Sequence, residues 1–159
     1  MRHTRLSIRP HDRRGAALVE FAILFPVFLG LILGTIEIGT GLRASNLMAS
    51  GVREGGRLAS MDTTGVLPQG TTLNQKVTLD IRNFLAASGL PADDITITIT
   101  EAEGDAPFDL GDPANSLELF RITATIPYDS VSMWPSNFLG GENIRAALVF
   151  RAGRIKQVE

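Results

Sequence analysis

Cysteine and histidine, which most often act as nucleophiles, general bases or metal ligands, are absent or rare in this chain. It contains no cysteine, and its two histidines, His3 and His11, lie within the first 15 residues. Thiolate chemistry, disulfides and cysteine-ligated metals are therefore excluded. The stretch GVREGG at residues 51–56 matches neither the P-loop nor the dinucleotide-binding pattern. A pair of carboxylates remains as a catalytic option, but acidic residues are too common here to point to one pair. We therefore predict that the protein is not an enzyme and has no cofactor and no small-molecule substrate.

Carboxylates are abundant in one segment of the sequence, residues 101–116. Its acidic residues are Glu101, Glu103, Asp105, Asp109 and Asp112. Oxygen ligands of this kind suit calcium, but their spacing does not match the EF-hand loop, which has acids at alternate positions and a glutamate at its end. The sequence favours a solvated acidic loop without a metal, and it leaves calcium binding open.

One further carboxylate, Glu20, lies near the start of a long apolar run. Residues 21–36 carry no formal charge, and residues 16–39 add only Glu20 and Glu37. A helix of that length, rising about 1.5 Å per residue, extends roughly 36 Å and can cross a hydrocarbon core of about 30 Å. We predict one transmembrane helix over residues 16–39. The two glutamates would lie near opposite interfaces, where an ionised group costs less than at the midplane.

The charges on either side of this apolar run are unequal. Five of the 15 basic residues lie in residues 1–15 beside a single aspartate, so the remainder of the chain is net acidic. Basic residues next to a membrane helix favour the cytoplasmic side. We therefore predict a basic cytoplasmic leader over residues 1–15, an extracytoplasmic remainder and no nucleic-acid partner.

Three residues inside the apolar run bear on its packing. Pro26 removes one helical hydrogen bond, and Gly30 and Gly34 form a GxxxG pair that could let a partner helix approach. The alternative of a secretory signal peptide cut near Ala44 stays open. It is disfavoured because the apolar run is longer than the hydrophobic region of such peptides and no clear cleavage site follows it.

Cleavage of the chain between Gly15 and Ala16 would explain the position of Glu20. Ala16 would then carry a free ammonium group at the start of a helix, with Glu20 one turn along. A carboxylate in the first helical turn is favoured by the helix dipole by about 0.3–1 kcal/mol. It could also pair with the ammonium group of its own or a neighbouring subunit, which would make Glu20 an assembly contact.

The stretch from Arg13 through Gly15, Glu20 and Phe21 to Pro26 resembles the leader and first helix of TadE-like pseudopilins. These are minor pilin-like proteins of the tight-adherence, or Flp-type, pilus machinery. The resemblance implies that Gly15 precedes the cleavage site and that Glu20 is the glutamate at the fifth position of the mature chain. It also implies a membrane-embedded prepilin peptidase acting on the cytoplasmic side.

A second segment, residues 46–61, resembles the Arg-Glu-Gly-x-Arg sequence that follows the membrane helix in this family. Arg53, Glu54 and Arg57 are the charged residues at the matching positions. They are candidates for docking a partner. An exposed helix face with local ion pairs explains them equally well.

The rest of the chain predicts a small α+β domain. Thr72 and Gln75 form a capping-box pattern, and a helical apolar stripe follows until Gly89 and Pro91, comprising Leu73, Val77, Ile81, Phe84 and Leu85. Residues 94–101, 117–128 and 144–151 alternate as three strands, without intervening helices, so we expect an antiparallel sheet. Leu117 and Leu119 are out of phase, which suggests a bulge or a two-sided strand. Trp134 and Phe138 are expected in a loop covering the core rather than on an interaction surface.

These observations predict a leader at residues 1–15, a transmembrane helix at 16–39, a helical extension at 40–61 and an extracytoplasmic α+β domain at 62–159. The resemblance implies a minor pilin-like protein that serves pilus assembly. The protein would be located in the bacterial cytoplasmic membrane, or in or at the base of a pilus on the cell surface. Expected partners are the membrane, the prepilin peptidase, other pilin-like subunits and inner-membrane platform proteins. The alternative is a single-pass membrane-anchored module whose extracytoplasmic domain binds a ligand or a protein.

Overall fold

The computed structural model describes residues 11–61, 67, 70–133 and 141–153, with the backbone alone for residues 11–14. The chain forms two compact units, Met1–Ile38 and Gly39–Glu159. Most of the leader and most of the linker after residue 61 lie outside the described residues. So do Trp134 and Phe138, and the loop predicted around them stays a prediction.

Helix α1, His11–Ala59, contains both the predicted membrane segment and the segment predicted to extend it. Alanine, leucine, arginine and glutamate, which favour helix, recur along it, although it also contains eight glycines. Pro26 lies inside it and has no N–H to donate to the carbonyl of Ala22. The helix nevertheless continues through this point, as membrane helices tolerate.

Helix α2, Leu73–Ala87, begins with the predicted capping box. The backbone N–H of Gln75 donates to Thr72 Oγ1 at 3.2 Å, and the Thr72 N–H donates to Gln75 Oε1 at 3.0 Å. At the other end, Gly89 has φ +86° and the Leu90 N–H donates to the Leu85 carbonyl. This is the pattern of a Schellman cap, in which a glycine reverses the chain and satisfies the last carbonyls.

Three strands form one antiparallel sheet in the order β1-β2-β3: β1 Thr96–Glu101, β2 Leu119–Pro127 and β3 Asn143–Arg151. The register aligns Ile99 with Ile122 and Ile122 with Leu148. The α+β prediction is confirmed. Pairing along β2 is continuous, without a bulge. Leu117 lies before the strand at φ +67°, while Leu119 points to the open face and is 49% exposed.

The core of the second unit lies between the sheet and two helices. The sheet contributes alternate side chains from β2, with Phe120 ring-stacked on Phe108 at a centroid distance of 5.4 Å. The helices contribute apolar residues at helical spacing, namely Met48, Val52 and Ala59 from α1 and Leu73, Val77, Ile81 and Leu85 from α2. Phe84 departs from the predicted stripe, because it lies at the margin of the buried face and is 37% exposed.

Glycines in the last turns of α1 allow this close packing. A Cβ added at Gly55 would meet Ile81 closer than the 3.0 Å that real Cβ atoms keep, and one at Gly56 would meet the Phe150 ring equally closely. Both glycines are buried. The end of α1 therefore lies against α2 and β3 at distances that only glycine permits at these two positions.

Candidate functional site

The surface of α1 in the first unit is apolar and uncovered by the described residues. Its large apolar side chains from Leu18 to Ile38 are all at least 36% exposed. By length and composition, one helix in the described part of the chain, Gly15–Ala59, could cross a membrane. A run of exposed apolar side chains of this length needs lipid or partner helices around it, because water would leave the whole surface unfavourably hydrated.

Gly15, Ala16 and Glu20 all lie in α1, and all three are exposed. Ala16 and Glu20 are four residues apart, so they lie on the same face of the helix, one turn from each other. Among the described residues, no side chain forms a salt bridge with Glu20. The carboxylate is therefore available to a group outside the described part of this chain.

The peptide bond between Gly15 and Ala16 is in helical backbone. Within the described part of the chain, nothing packs against Gly15, since a Cβ added there would meet nothing within 4 Å. Glycine is about 1 kcal/mol less favourable than alanine in a helix interior. This position is thus accessible and lies where the helix is intrinsically weak.

Gly30 and Gly34 lie on one face of the same helix, with Pro26 one turn earlier. A Cβ built at either glycine would meet nothing within 4 Å. The two glycines therefore make no close packing contact within the described residues. They leave a shallow strip on the helix, and the partner helix predicted from the sequence stays a prediction.

In the segment at residues 53–57, the charged side chains lie on the outer side of α1 and the glycines lie on its buried side. Arg57 donates from Nε to Glu54 Oε2 at 3.0 Å and from Nη2 to Glu54 Oε1 at 2.5 Å, a two-point ion pair between exposed side chains. These hydrogen bonds and the positive charge of Arg57 lower the pKa of Glu54. The same bonds and the negative charge of Glu54 raise the pKa of Arg57. Arg53 is exposed, whereas Gly55 faces the core.

This arrangement separates two roles within the segment. The charges are on the outside, where a partner could reach them, and the glycines on the inside hold α2 and β3. From the sequence, docking and a plain exposed helix face are equally good explanations of the charges, and the glycines are compatible with either close packing or a bend. Small residues recurring at Gly51, Gly55 and Ala59 were the available signal for the packing face, because residues four apart share one side of a helix.

The acidic segment between β1 and β2 is held by a side chain of α2. Asn74 Nδ2 donates to the Phe108 carbonyl at 2.7 Å, and the Leu110 N–H donates to Asn74 Oδ1 at 2.8 Å. Asp109 and Asp112 accept backbone N–H bonds from residues two further along. The described residues contain no group of three histidine, aspartate or glutamate side chains that could hold a metal ion.

Asn74 was missed at the sequence level. It is a polar residue next to an apolar stripe, and nothing in its spacing indicates a partner 34 residues away. Its two bonds satisfy a carbonyl and an N–H that the loop brings against the helix. The acidic segment is thereby anchored to the core through Phe108 and Leu110, both of which are buried.

Among comparisons with known proteins, one gives a match, and it lies within helix α1. No curated protein and no solved structure matches the chain. A family model described as TadE-like protein matches residues 15–57, which include Gly15, Glu20 and the charged residues of the 53–57 segment. The predicted resemblance is thus confirmed, and over residues 15–57 this chain is similar to the TadE-like proteins of pilus assembly.

Proposed function

We propose that this protein is a non-enzymatic, pilin-like subunit that helps to assemble a tight-adherence-type surface pilus. A prepilin peptidase removes residues 1–15 by cutting between Gly15 and Ala16. The mature chain stays in the bacterial cytoplasmic membrane through the first part of α1, with the α+β unit on the extracytoplasmic side. The observation that carries the proposal is the TadE-like match, which includes both the proposed cleavage site and Glu20.

The mechanism depends on what cleavage does to the start of α1. Removal of the leader creates an ammonium group at Ala16, one helical turn from Glu20. Within one subunit, the carboxylate stabilises the first turn through the helix dipole, by about 0.3–1 kcal/mol. Between subunits, it attracts the new ammonium group of a neighbour, and the low-dielectric surroundings strengthen this attraction.

The same carboxylate explains how subunits choose each other inside the membrane. An ionised group in an apolar helix is costly unless it finds a partner, so a neighbour that supplies a positive charge is favoured over lipid. Apolar side chains around it then pack against the neighbouring helix. Gly30 and Gly34 would admit that helix closely, as small residues do in membrane bundles.

Amino-terminal sequencing of the protein purified from membranes tests the cleavage step. Recovery of Ala16 as the first residue supports the proposal, and a Gly15→Val variant should retain its leader. An uncut Met1, or a start near Ala44 as in a secretory signal peptide, would contradict it.

Replacement of Glu20 tests the assembly step. The Glu20→Gln variant should be inserted and cut normally but should be lost from, or fail to support, sheared pili, because the neutral amide cannot pair with the ammonium group as a charge. Glu37→Gln is the matched control, since it removes the other glutamate of the apolar segment, and it should assemble normally. Unchanged pilus assembly in Glu20→Gln would refute the proposal and favour a membrane-anchored binding module.

A further inference from the structure

The two edge strands of the sheet, β1 and β3, differ in how many of their outward backbone groups are hydrogen-bonded to the rest of the chain. At the β1 edge, the Phe108 N–H donates to the Ile99 carbonyl and the Glu101 N–H donates to the Ala106 carbonyl. Arg82 Nη2 approaches the Ile95 carbonyl at 3.4 Å just before the strand. The C-terminal end of this edge is therefore covered by the loop, and a side chain of α2 caps the residue before the strand. At the β3 edge, the pairing with β2 determines which backbone groups are exposed.

Hydrogen bonding at both ends of β3 shows which of its residues direct their backbone N–H and C=O groups towards the open edge of the sheet. The Tyr128 N–H donates to the Glu142 carbonyl and the Ala152 N–H donates to the Glu118 carbonyl. Both pairs are in the β2–β3 register, so even-numbered residues of β3 make the ladder bonds. Odd-numbered residues point their N–H and C=O groups away from the sheet, and the Arg151 carbonyl indeed accepts from Ser60 Oγ at 2.8 Å.

Four other residues of β3 present backbone groups at this edge, namely Asn143, Arg145, Ala147 and Val149. In the ranges that the structure describes, their backbone groups have no hydrogen-bond partner. The strand is nine residues long and contains neither proline nor a bulge. It is thus a regular template for one more strand, and proteins usually block such an edge when it has no partner.

The side chains beside this edge indicate what kind of strand fits it. The open face of the sheet carries Arg121, Arg145 and Arg151, and its other residues are Asn143, threonines and small or apolar side chains. No carboxylate shares this face of the three strands. Arg121 is held by the Ala102 and Gly104 carbonyls, whereas Arg145 and Arg151 form no ion pair with any described residue. These two arginines are six positions apart, roughly 20 Å along the strand.

Other occupants match this edge less well. A second copy of β3 brings no carboxylate, because its sequence, NIRAALVFR, contains none. Pairing two copies would place arginines opposite uncharged residues or opposite each other, which is unfavourable. A copy of β1 brings a single carboxylate, Glu101, at the strand end whose backbone is already bonded to the loop. A strand from a different protein, with carboxylates on one face, supplies the charges that this chain lacks there.

We propose that the β3 edge is a docking site for an extended, acidic segment of a partner protein, which adds a fourth strand to the sheet. The backbone groups of the odd-numbered residues provide the hydrogen bonds. Arg145 and Arg151 select carboxylates on the face of the added strand that lies beside them. This inference does not depend on cleavage after Gly15 or on Glu20, so it can fail or succeed separately from the proposed function.

Residue-resolved amide hydrogen exchange on the full chain in detergent micelles tests the docking site. Two nine-residue probe peptides alternate valine and threonine, and they carry either two glutamates or two lysines six positions apart. In the free protein, the Arg145, Ala147 and Val149 amides should exchange fast while their even-numbered neighbours are protected. At saturation, the glutamate peptide should slow these three amides by about tenfold or more, as hydrogen bonding does for an opened edge, and the lysine peptide should not.

Charge reversal provides the decisive control. The double variant Arg145→Glu with Arg151→Glu should reverse the preference, with the glutamate peptide weakened by roughly fivefold or more. Arg43→Glu makes the same kind of change away from the sheet, and this variant should still bind the glutamate peptide in preference to the lysine peptide. Continued protection of the even-numbered amides verifies that each variant is folded.

Several results would overturn the proposal. Slow exchange of the odd-numbered amides in the free protein means that the edge is already covered, by a second copy if the rates depend on protein concentration and by this chain if they do not. Absence of protection by the glutamate peptide at saturation refutes strand addition. Equal protection by both peptides, or no change in preference on charge reversal, refutes the role of the arginines.

Discussion

Substitution of Gly55 by alanine should reveal how much of the second unit's stability depends on the close approach of α1 to α2. The new methyl group would overlap the Cδ1 and Cγ1 atoms of Ile81 and would lie 3.4 Å from Val77 Cγ1. Both neighbours are buried, Ile81 to 1% exposure, so neither side chain has free space into which to move. The helices must therefore separate, or Ile81 must leave its rotamer.

The net effect is the difference between two opposing contributions. Overpacking a tight core typically costs 1–3 kcal/mol, and the overlap with two carbons of one buried side chain places this site at about 2–3 kcal/mol. Alanine in a helix interior recovers about 1 kcal/mol relative to glycine. We expect Gly55→Ala to lower the free energy of unfolding by about 1–2 kcal/mol, which corresponds to a fall in Tm of roughly 4–8 °C.

Calorimetric unfolding of the purified chain in detergent micelles measures this change. Gly39→Ala is the matched control, because it lies in the same helix and an added Cβ there meets nothing within 4 Å. It should leave Tm unchanged or raise it. Adding Ile81→Val to Gly55→Ala removes one overlapping atom, so the double variant should be more stable than the sum of the single effects predicts. Additive effects, or equal Tm values for Gly55→Ala and the control, would refute the proposed contact.

Two further predictions concern polar contacts of the second unit. Asn74→Ala should lower the free energy of unfolding by about 2 kcal/mol, because it removes two hydrogen bonds. The Phe108 carbonyl and the Leu110 N–H lose these partners, so an unchanged exchange rate of the Leu110 amide would contradict the prediction. Arg57→Ala should raise the pKa of Glu54 towards its ordinary value in an NMR titration, since Arg57 is what lowers it. Because the folded-state pKa is lowered, the contribution of this pair to stability is present above the ordinary carboxyl pKa and disappears as pH falls through the folded value.

The sequence predicts most of this fold wherever a local pattern determines the structure. Thr72 and Gln75 sit three residues apart in front of an apolar stripe, and that spacing alone defines the start of α2. The strands alternate with period two, and the absence of helices between them favours antiparallel pairing. The Gly15 to Glu20 spacing is equally local, and it indicates the family resemblance together with the basic leader, the apolar run and the segment at residues 46–61.

Contacts between distant residues account for what the sequence did not reveal. Gly55 could have marked a bend, and only the position of Ile81, 26 residues later, decides in favour of close packing. Phe84 follows Ile81 by three positions and so has helical spacing, but it falls on the side of the stripe where the core ends. The open β3 edge follows from the order of the strands, and alternation alone does not determine strand order.

The burial of Met48, Val52 and Ala59 has a practical consequence for obtaining the α+β unit without a membrane. A fragment that started at the linker after residue 61 would lack three core side chains and would expose the apolar faces of α2 and the sheet to water. Aggregation would be the expected outcome. A water-soluble form should instead begin near Gly39, where the second compact unit starts, so that it retains the turns of α1 that complete its interior.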